Sequence, residues 1–519
     1  MKFKVIMLSS TSMTLELENN DVVNTKGFYN LYVNGRLIYE KENRNVVSVY
    51  QLKPDTDYEI RVGQEREECY IKRIKTHSES ICLNVKRFNA KGDGVTDDTV
   101  AIQAAVICSP DNGRVFIPQG RYKVKTIFLK SNMTLELEKG ATLVFDGEFY
   151  QGGILPGLTM DSKGGEYYLG SWEGNPLDSY TSLLQGINIG NVKIIGEGTL
   201  EGQGSNWWHS PKEKKGAWRP RLVQFIHSRD IMIQGLTLQN SPSWTLHPLF
   251  SRNLTFTDLK ILGPKESPNT DGLNPESCEN VEIIGVYFSV GDDCIALKSG
   301  KIYLGKKLKR PSKNITIRNC SMNFGHGAVV IGSEMAGGVK DVRVSQCFFN
   351  ETDRGLRIKT RRGRGREGRI ENIHFENIQM SKVLTPLVIN SFYFCDPDGH
   401  SEYVRTKKVL PIDEGTPYLG DFTFERIHCT DCQVAAGFFY GLPEEPIRSI
   451  SLKNCSFIFK EKAEEGYPAM MDDIPKYCKA GLVFNNIKEV TMENVWLEGY
   501  EGERITGNYD FKKNCREYN

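Results

Sequence analysis

No stretch of the chain approaches the ~18 consecutive apolar residues of a membrane span. The opening run, Met1-Lys2-Phe3-Lys4-Val5-Ile6-Met7-Leu8-Ser9, is also shorter than the ~7–15 apolar residues of a secretory leader. No membrane partner is therefore expected, and a cytoplasmic location is, unless a leader has been removed to give a secreted or periplasmic protein. None of the 13 cysteines sits in a CxxC…CxxC or CxxC…HxxxH arrangement, so no zinc site is anticipated. Cys429 and Cys432 form a lone pair, and free thiols in a reducing compartment fit this usage best. A dominant charge is missing too. Lys and Arg number 66 against 65 Asp and Glu, without the basic excess that would track a nucleic-acid backbone. Any anionic partner must be met locally. Helix-period segments are scarce and prolines number only 21 against 49 glycines, which points to an all-β chain with many turns. At 519 residues it exceeds one ordinary compact domain, although elongated repeat folds absorb such lengths around one continuous core.

Two patterns divide the chain. Through residue 80 the strands alternate, as at Met13, Leu15 and Leu17, and Tyr29, Leu31 and Val33 lead into Asn34-Gly35, a strong hairpin turn. The stretch Leu52 to Val62, with Pro54 and Tyr58, resembles a late strand of fibronectin type III modules, in which the tyrosine packs at a strand corner. Residues 1–80 are therefore read as a small β-sandwich. From Ile81 onward a turn residue repeatedly precedes two alternating apolar positions, as at Asn191, Asn253, Asn280, Asn314, Asp341 and Asn372, with later copies near Ser449 and Glu489. The intervals are mostly roughly 23–40 residues, the range of stacked coils that cannot bury an apolar face alone. Residues 81–519 are read as a parallel β-helix, since a second sandwich or a propeller would need hairpin spacings or blade repeats.

Four short motifs stand out: Asn269-Thr270-Asp271, Gly291-Asp292-Asp293, Gly325-His326-Gly327 and Arg357-Ile358-Lys359. Asp271, Asp292, His326 and Arg357 follow one another at 21, 34 and 31 residues, about one coil each, so stacking brings them together. Asn269 and Asp271 are two apart, as are Arg357 and Lys359, and that step in an extended chain aims both side chains to one face, leaving Ile358 for the core. Asp292 and Asp293 are adjacent and need a bend to act jointly, for which Gly291 is suited. Acetal hydrolysis needs a protonated carboxyl for the leaving oxygen and a carboxylate for water, and clustered carboxylates raise one another's pKa values. A substrate bearing its own carboxylate also needs cations, which Arg357 and Lys359 supply.

These four motifs, in this order, resemble the signature set of the polygalacturonases, the pectin-cleaving glycoside hydrolases. The resemblance covers nearly everything from Ile81, including an opening at Phe88 to Gly94 and Asp97-Asp98-Thr99. It implies a right-handed parallel β-helix and an inverting, metal-free cleavage of α-1,4-linked galacturonate. By the motif match Asp292 would be the general acid, Asp271 and Asp293 would hold and deprotonate the water, and His326 would tune or orient the acid. Arg357 and Lys359 would bind substrate carboxylate, with Asn269 and Tyr393 as further substrate contacts.

An aspartate in a solenoid turn more often caps backbone groups than does chemistry, and a lone His326 between glycines could merely fill a turn. Four motifs in one ladder reverse that balance. The run Arg361-Arg362-Gly363-Arg364-Gly365-Arg366 is expected to attract polyanionic pectin. Trp207, Trp208, Trp218 and Trp244 fit sugar subsites or buried packing equally, and the sequons at Asn253 and Asn314 read as turn asparagines. Action from a chain end on polygalacturonate or oligogalacturonates is expected, because insertions near residues 147–180 and 395–419 are placed to close one end of a cleft. The rivals are an endo-acting enzyme, a hydrolase of rhamnose- or xylose-substituted pectin, a calcium-dependent pectate lyase and a non-catalytic glycan adhesin.

Overall fold

The structure is a computed structural model that describes residues 1–63, 69–146, 153–208 and 217–511, with the side chains of 509–511 not described. The chain begins as two antiparallel sheets. One has three strands, in the order Phe3–Leu8, Met13–Leu17, Val46–Val49, and the other has four, in the order Arg36–Arg44, Asn24–Val33, Asp57–Gly63, Tyr70–Lys75. Alternate residues of both, among them Leu15, Leu31, Val47 and Ile60, fill one apolar core. Asn34 and Gly35 turn the hairpin with φ of 48° and 78°, the left-handed values that a two-residue turn requires. Tyr58 sends its hydroxyl back to accept from the Lys53 amide at 2.7 Å, pinning the entry to its strand.

From Cys82 a sheet of 29 strands, pairing in parallel, winds along the molecule as a β-helix, joined by a four-stranded parallel sheet of Ile127–Phe128, Leu184–Ile187, Val223–Ile226 and Leu246–Leu249 and interrupted by short antiparallel pairs. Registers are kept coil after coil: Val192, Ile231, Leu254, Val281, Ile315, Val342 and Ile373 each lie beside the next. The continuous core these columns build runs from Val85 to Leu497. The α-helix Thr99–Cys108 buries Ile102, Ala105 and Val106 at its beginning, shielding apolar ends that an uncapped solenoid would expose.

The turn residues repeat for a backbone reason. Asn253, Asn280, Asn314, Asp341 and Asn372 all take φ of 55–57°, a left-handed conformation that asparagine and aspartate accept more readily than other residues with a Cβ. Their side chains then stack: Asn253 donates to Asp230 at 2.8 Å, Asn280 to Asn253 at 3.0 Å and Asn314 to Asn280 at 3.1 Å. The turn thus satisfies polar groups along the outside while the strands satisfy apolar ones within.

The sandwich lies against the flank of the coils. Glu16, nearly buried, takes Arg318 at 2.7 and 2.9 Å and Lys4 at 3.0 Å, while Gln234 bridges Ser12 and Thr14. Asn45 donates to Asn319 at 2.9 Å.

Candidate active site

One column of the helix carries the site. Leu273, Ile295, Val329, Leu356 and Leu387 lie side by side on successive coils with their side chains in the core. The residues two and three positions earlier emerge at the entrance to each strand: Asp271 on one coil, Asp292 and Asp293 on the next, then His326, then Asp353. Beyond the core positions, Ile358 is buried while Arg357 and Lys359 project together from the opposite face of the strand, as the two-residue step requires.

Close stacking makes the cluster possible. A Cβ on Gly291 would fall 2.4 Å from the Ser267 carbonyl oxygen. The chain bends immediately after it, at Asp292, so that neighbouring aspartates reach one cavity. At Gly325, with φ of 78°, a Cβ would sit 2.4 Å from the Asp292 carbonyl oxygen. His326 therefore rides directly above the acidic pair.

The cavity holds about 520 Å³, and all eight residues anticipated for it line its wall: Asn269, Asp271, Asp292, Asp293, His326, Arg357, Lys359 and Tyr393. Lys359 donates to Asp293 at 2.7 Å and Arg357 stands 3.4 Å from the same carboxylate. The Tyr393 ring spans both cations, 5.9 Å from Arg357 and 5.7 Å from Lys359. His326 Nδ1 lies 2.9 Å from Asp353 Oδ2.

The three aspartates are driven apart electrically. Burial lifts Asp271 well above the usual carboxylate range, and the neighbouring Asp292 charge adds to it. Burial and the Asp293 charge raise Asp292 as well. Asp293 is buried too, but Lys359 and Arg357 outweigh that penalty and hold it down at about 2. One cavity thus sets a carboxylate whose ionised form is favoured beside two carboxyls whose protonated forms are favoured, the division that acid–base chemistry uses. His326 is raised by its hydrogen bond with Asp353 and by the aspartates below.

Against known proteins, the sequence profile of glycosyl hydrolases family 28 matches residues 110–409. The chain belongs to this family. A protein named "Probable polygalacturonase" from Vitis vinifera is 33% identical over 430 residues, covering 81% of this chain and 82% of its own length. Among solved structures, a hyperthermoactive exopolygalacturonase from Thermotoga maritima is 25% identical with a TM-score of 0.64, over 80% of this chain and 92% of that one. A family 28 exopolygalacturonase from Yersinia enterocolitica shares the fold over 99% of this chain and 98% of its own, with a TM-score of 0.72 and 19% identity. The protein is a polygalacturonase-type family 28 hydrolase with a parallel β-helix fold.

The family 28 site includes residues that the sequence reading passed over. Lys298 is buried, 3.1 Å from Glu334 and 4.0 Å from Asp271, with its ammonium 4.5 Å from the Trp244 ring centre. It faces outward from the strand Ile295–Leu297 as Lys359 does from its own, so alternation after the Asp292-Asp293 turn signals it. Asp353 follows His326 by one coil. Arg219 donates to Asn269 Oδ1 at 2.7 Å, a contact across 50 residues that no local pattern shows. Of the four tryptophans, Trp244 lines the cavity; Trp218 packs at 4.4 Å against Trp172, itself a wall residue. Trp207 is buried, and Trp208 donates to the Ser241 carbonyl at 3.1 Å.

The arginine run departs from expectation. Arg361, Arg362 and Arg364 are buried rather than presented to a polyanion. Arg361 pairs with Asp396 and Asp398, Arg362 with Glu444, Arg364 with Asp396, and Arg366 reaches Glu445. Acids 32–82 residues away in sequence neutralise the run, so it fastens loops instead of steering substrate.

Proposed function

We propose that this hydrolase cleaves α-1,4-galacturonosyl linkages of polygalacturonate and oligogalacturonates from a chain end, with inversion. The observation that carries the reading is the opposed surroundings of adjacent aspartates: burial and the Asp293 charge raise Asp292, while Lys359 at 2.7 Å and Arg357 at 3.4 Å lower Asp293. Asp292, raised and half-buried at the cavity surface, is the general acid that protonates the leaving oxygen. Asp293, held ionised by Lys359 and Arg357, takes the proton of the attacking water, and Asp271 fixes that water from the neighbouring coil. His326 orients and tunes Asp292. Arg357, Lys359, Asn269 and Tyr393 receive the sugar, the two cations balancing its carboxylate as well as that of Asp293. The proton circuit needs no metal, so a chelator is expected to leave the rate unchanged.

Chain-end action is supported by the walls of the cavity. Trp172 and Glu173 come from the first insertion, whose residues 147–152 lie outside the described residues, and Cys395 and Asp396 come from the second. Both bring side chains to one cavity, and two solved structures similar to this chain bear the name exopolygalacturonase. Chromatography of products from polygalacturonate over time tests the reading: one short product from the first minutes is expected, and an early spread of oligomers contradicts it. Proton NMR of the first anomer released tests inversion, for which the β-anomer is expected. We further read the N-terminal sheets as a fibronectin type III-like module, on their three-plus-four strand arrangement and the Tyr58 contact. A cytoplasmic site of action, meeting imported oligomers, is kept as a proposal on the unpaired thiols of Cys278, Cys294, Cys320, Cys347 and Cys455 along the coils; fractionation of the source cells tests it.

A further inference from the structure

The two insertions that wall the cavity meet at one lysine. Lys301 follows the strand Ile295–Leu297 and precedes the short helix Ile302–Leu308. Its backbone amide donates to the Gly174 carbonyl at 2.9 Å, so the tip of the first insertion is held against the coil. The approach leaves no room for a side chain: with φ of 72°, a Cβ on Gly174 would lie 2.4 Å from the Lys301 nitrogen. The Lys301 ammonium then reaches both insertions, standing 3.8 Å from Glu173 and in direct contact with Asp396. Asp396 is further gripped by Arg361 and Arg364, each at 3.2 Å. Lys301, Glu173 and Asp396 all line the cavity.

From this we infer that Lys301 is a specificity-determining residue: it locks the two insertions into a continuous wall across one end of the cleft, which fixes where the terminal sugar stops and so the length of product released. The inference rests on the chain-end reading above. Its physical basis is that the two insertions share no strand pairing among the described residues and meet through the Lys301 side chain. The first pairs chiefly with itself, in short antiparallel strands such as Leu158–Met160 with Glu166–Tyr168. Asp396, with φ of 67°, sits in a turn outside any strand. An ion-paired junction of this kind contributes little net stability compared with apolar packing, but it dictates which groups meet. Without Lys301, Asp396 keeps Arg361 and Arg364, whereas Glu173 has no cation within reach among the described contacts, and its half-exposed carboxylate is free to swing into solvent. The end wall would part at the seam between the insertions.

The test is the distribution of product lengths at low conversion from polygalacturonate, for the full chain and for Lys301→Met, Lys301→Arg and Glu173→Gln. The unmodified protein is expected to release one short product. Lys301→Met should release a spread of longer oligomers, with a fall in viscosity per bond broken at least severalfold steeper. Lys301→Arg should restore the single product, and Glu173→Gln should shift the distribution partway. Glu173 is half exposed, so this variant remains informative if Lys301→Met fails to fold. Folded Lys301→Met or Glu173→Gln variants that both keep the single product overturn the role of Lys301 while leaving chain-end action intact. A spread of oligomers from the unmodified protein overturns chain-end action itself and the inference with it.

Discussion

At the scale of single residues, the account turns on charge held in place by neighbours. Lys359 lowers Asp293, so Lys359→Met removes the cation that favours the ionised form and the Asp293 pKa rises from about 2. A reaction needing that carboxylate ionised then fails at higher pH. The acid limb of kcat/KM against pH is expected to move up by about 1–3 pH, and an unmoved limb would contradict the assignment. The same depressed pKa makes Asp293 a source of stability that is present above the ordinary carboxylate value of ~3.9 and is lost as pH falls toward about 2. His326 has the opposite sign. Its raised pKa contributes stability that is present below the ordinary ~6.5 and is lost as pH rises through the folded value. Asp353→Asn removes the partner of that imidazolium, so the His326 titration followed by NMR should fall toward or below the ordinary value. The motif residues were legible because each lies at the mouth of a coil in an alternating strand. Glu334 was not, since its meaning comes from its pairing with Lys298 across coils, and Lys298 itself carried only the signal of alternation and no motif.

At the scale of elements, the recurring turn asparagine is the feature that made the solenoid readable before any coordinates. It couples two requirements, a left-handed backbone and a polar ladder, to a single residue type. Asn280→Ala should cost about 1–2 kcal/mol for the left-handed alanine alone, more with the lost contacts to Asn253 and Asn314. Asn280→Gly should cost less, because glycine keeps the backbone and loses only the ladder. Urea unfolding midpoints check the order, and equal midpoints for the two variants would contradict it. The insertions were visible only as gaps in this rhythm. The short strands of the first pair within themselves, and Asp396 and Asp398 of the second are ion-paired to Arg361 and Arg364, which is why the Arg361–Arg366 run looked like a patch for polyanionic pectin. A row of arginines reads as surface until the acids that bury it are known, and these lie one or more coils away.

Across the whole molecule, the sandwich and the helix are joined by a polar seam in which Glu16 is the most enclosed charge. Among the described residues, Glu16→Gln leaves Arg318 with only the half-exposed Glu282 as an anion. Breaking a buried pair typically costs about 3–5 kcal/mol, and partial compensation places this variant near the lower end. Calorimetry should show a lower midpoint, and an unchanged one would mean that the seam is not energetically continuous with the coils. The coils in turn assemble the site, because matching positions on successive rungs come to lie side by side while the residues themselves are spread from Asn269 to Tyr393. The most direct test of that assembly is reducing-end release from polygalacturonate by the native chain and by Asp292→Asn, with thermal midpoints measured alongside. Hydrolysis by the native chain is predicted, with a loss of about 10²–10⁴-fold in the variant and no change in midpoint. A folded Asp292→Asn protein that hydrolyses at the native rate, or a native product with an unsaturated, ultraviolet-absorbing end, would contradict the account.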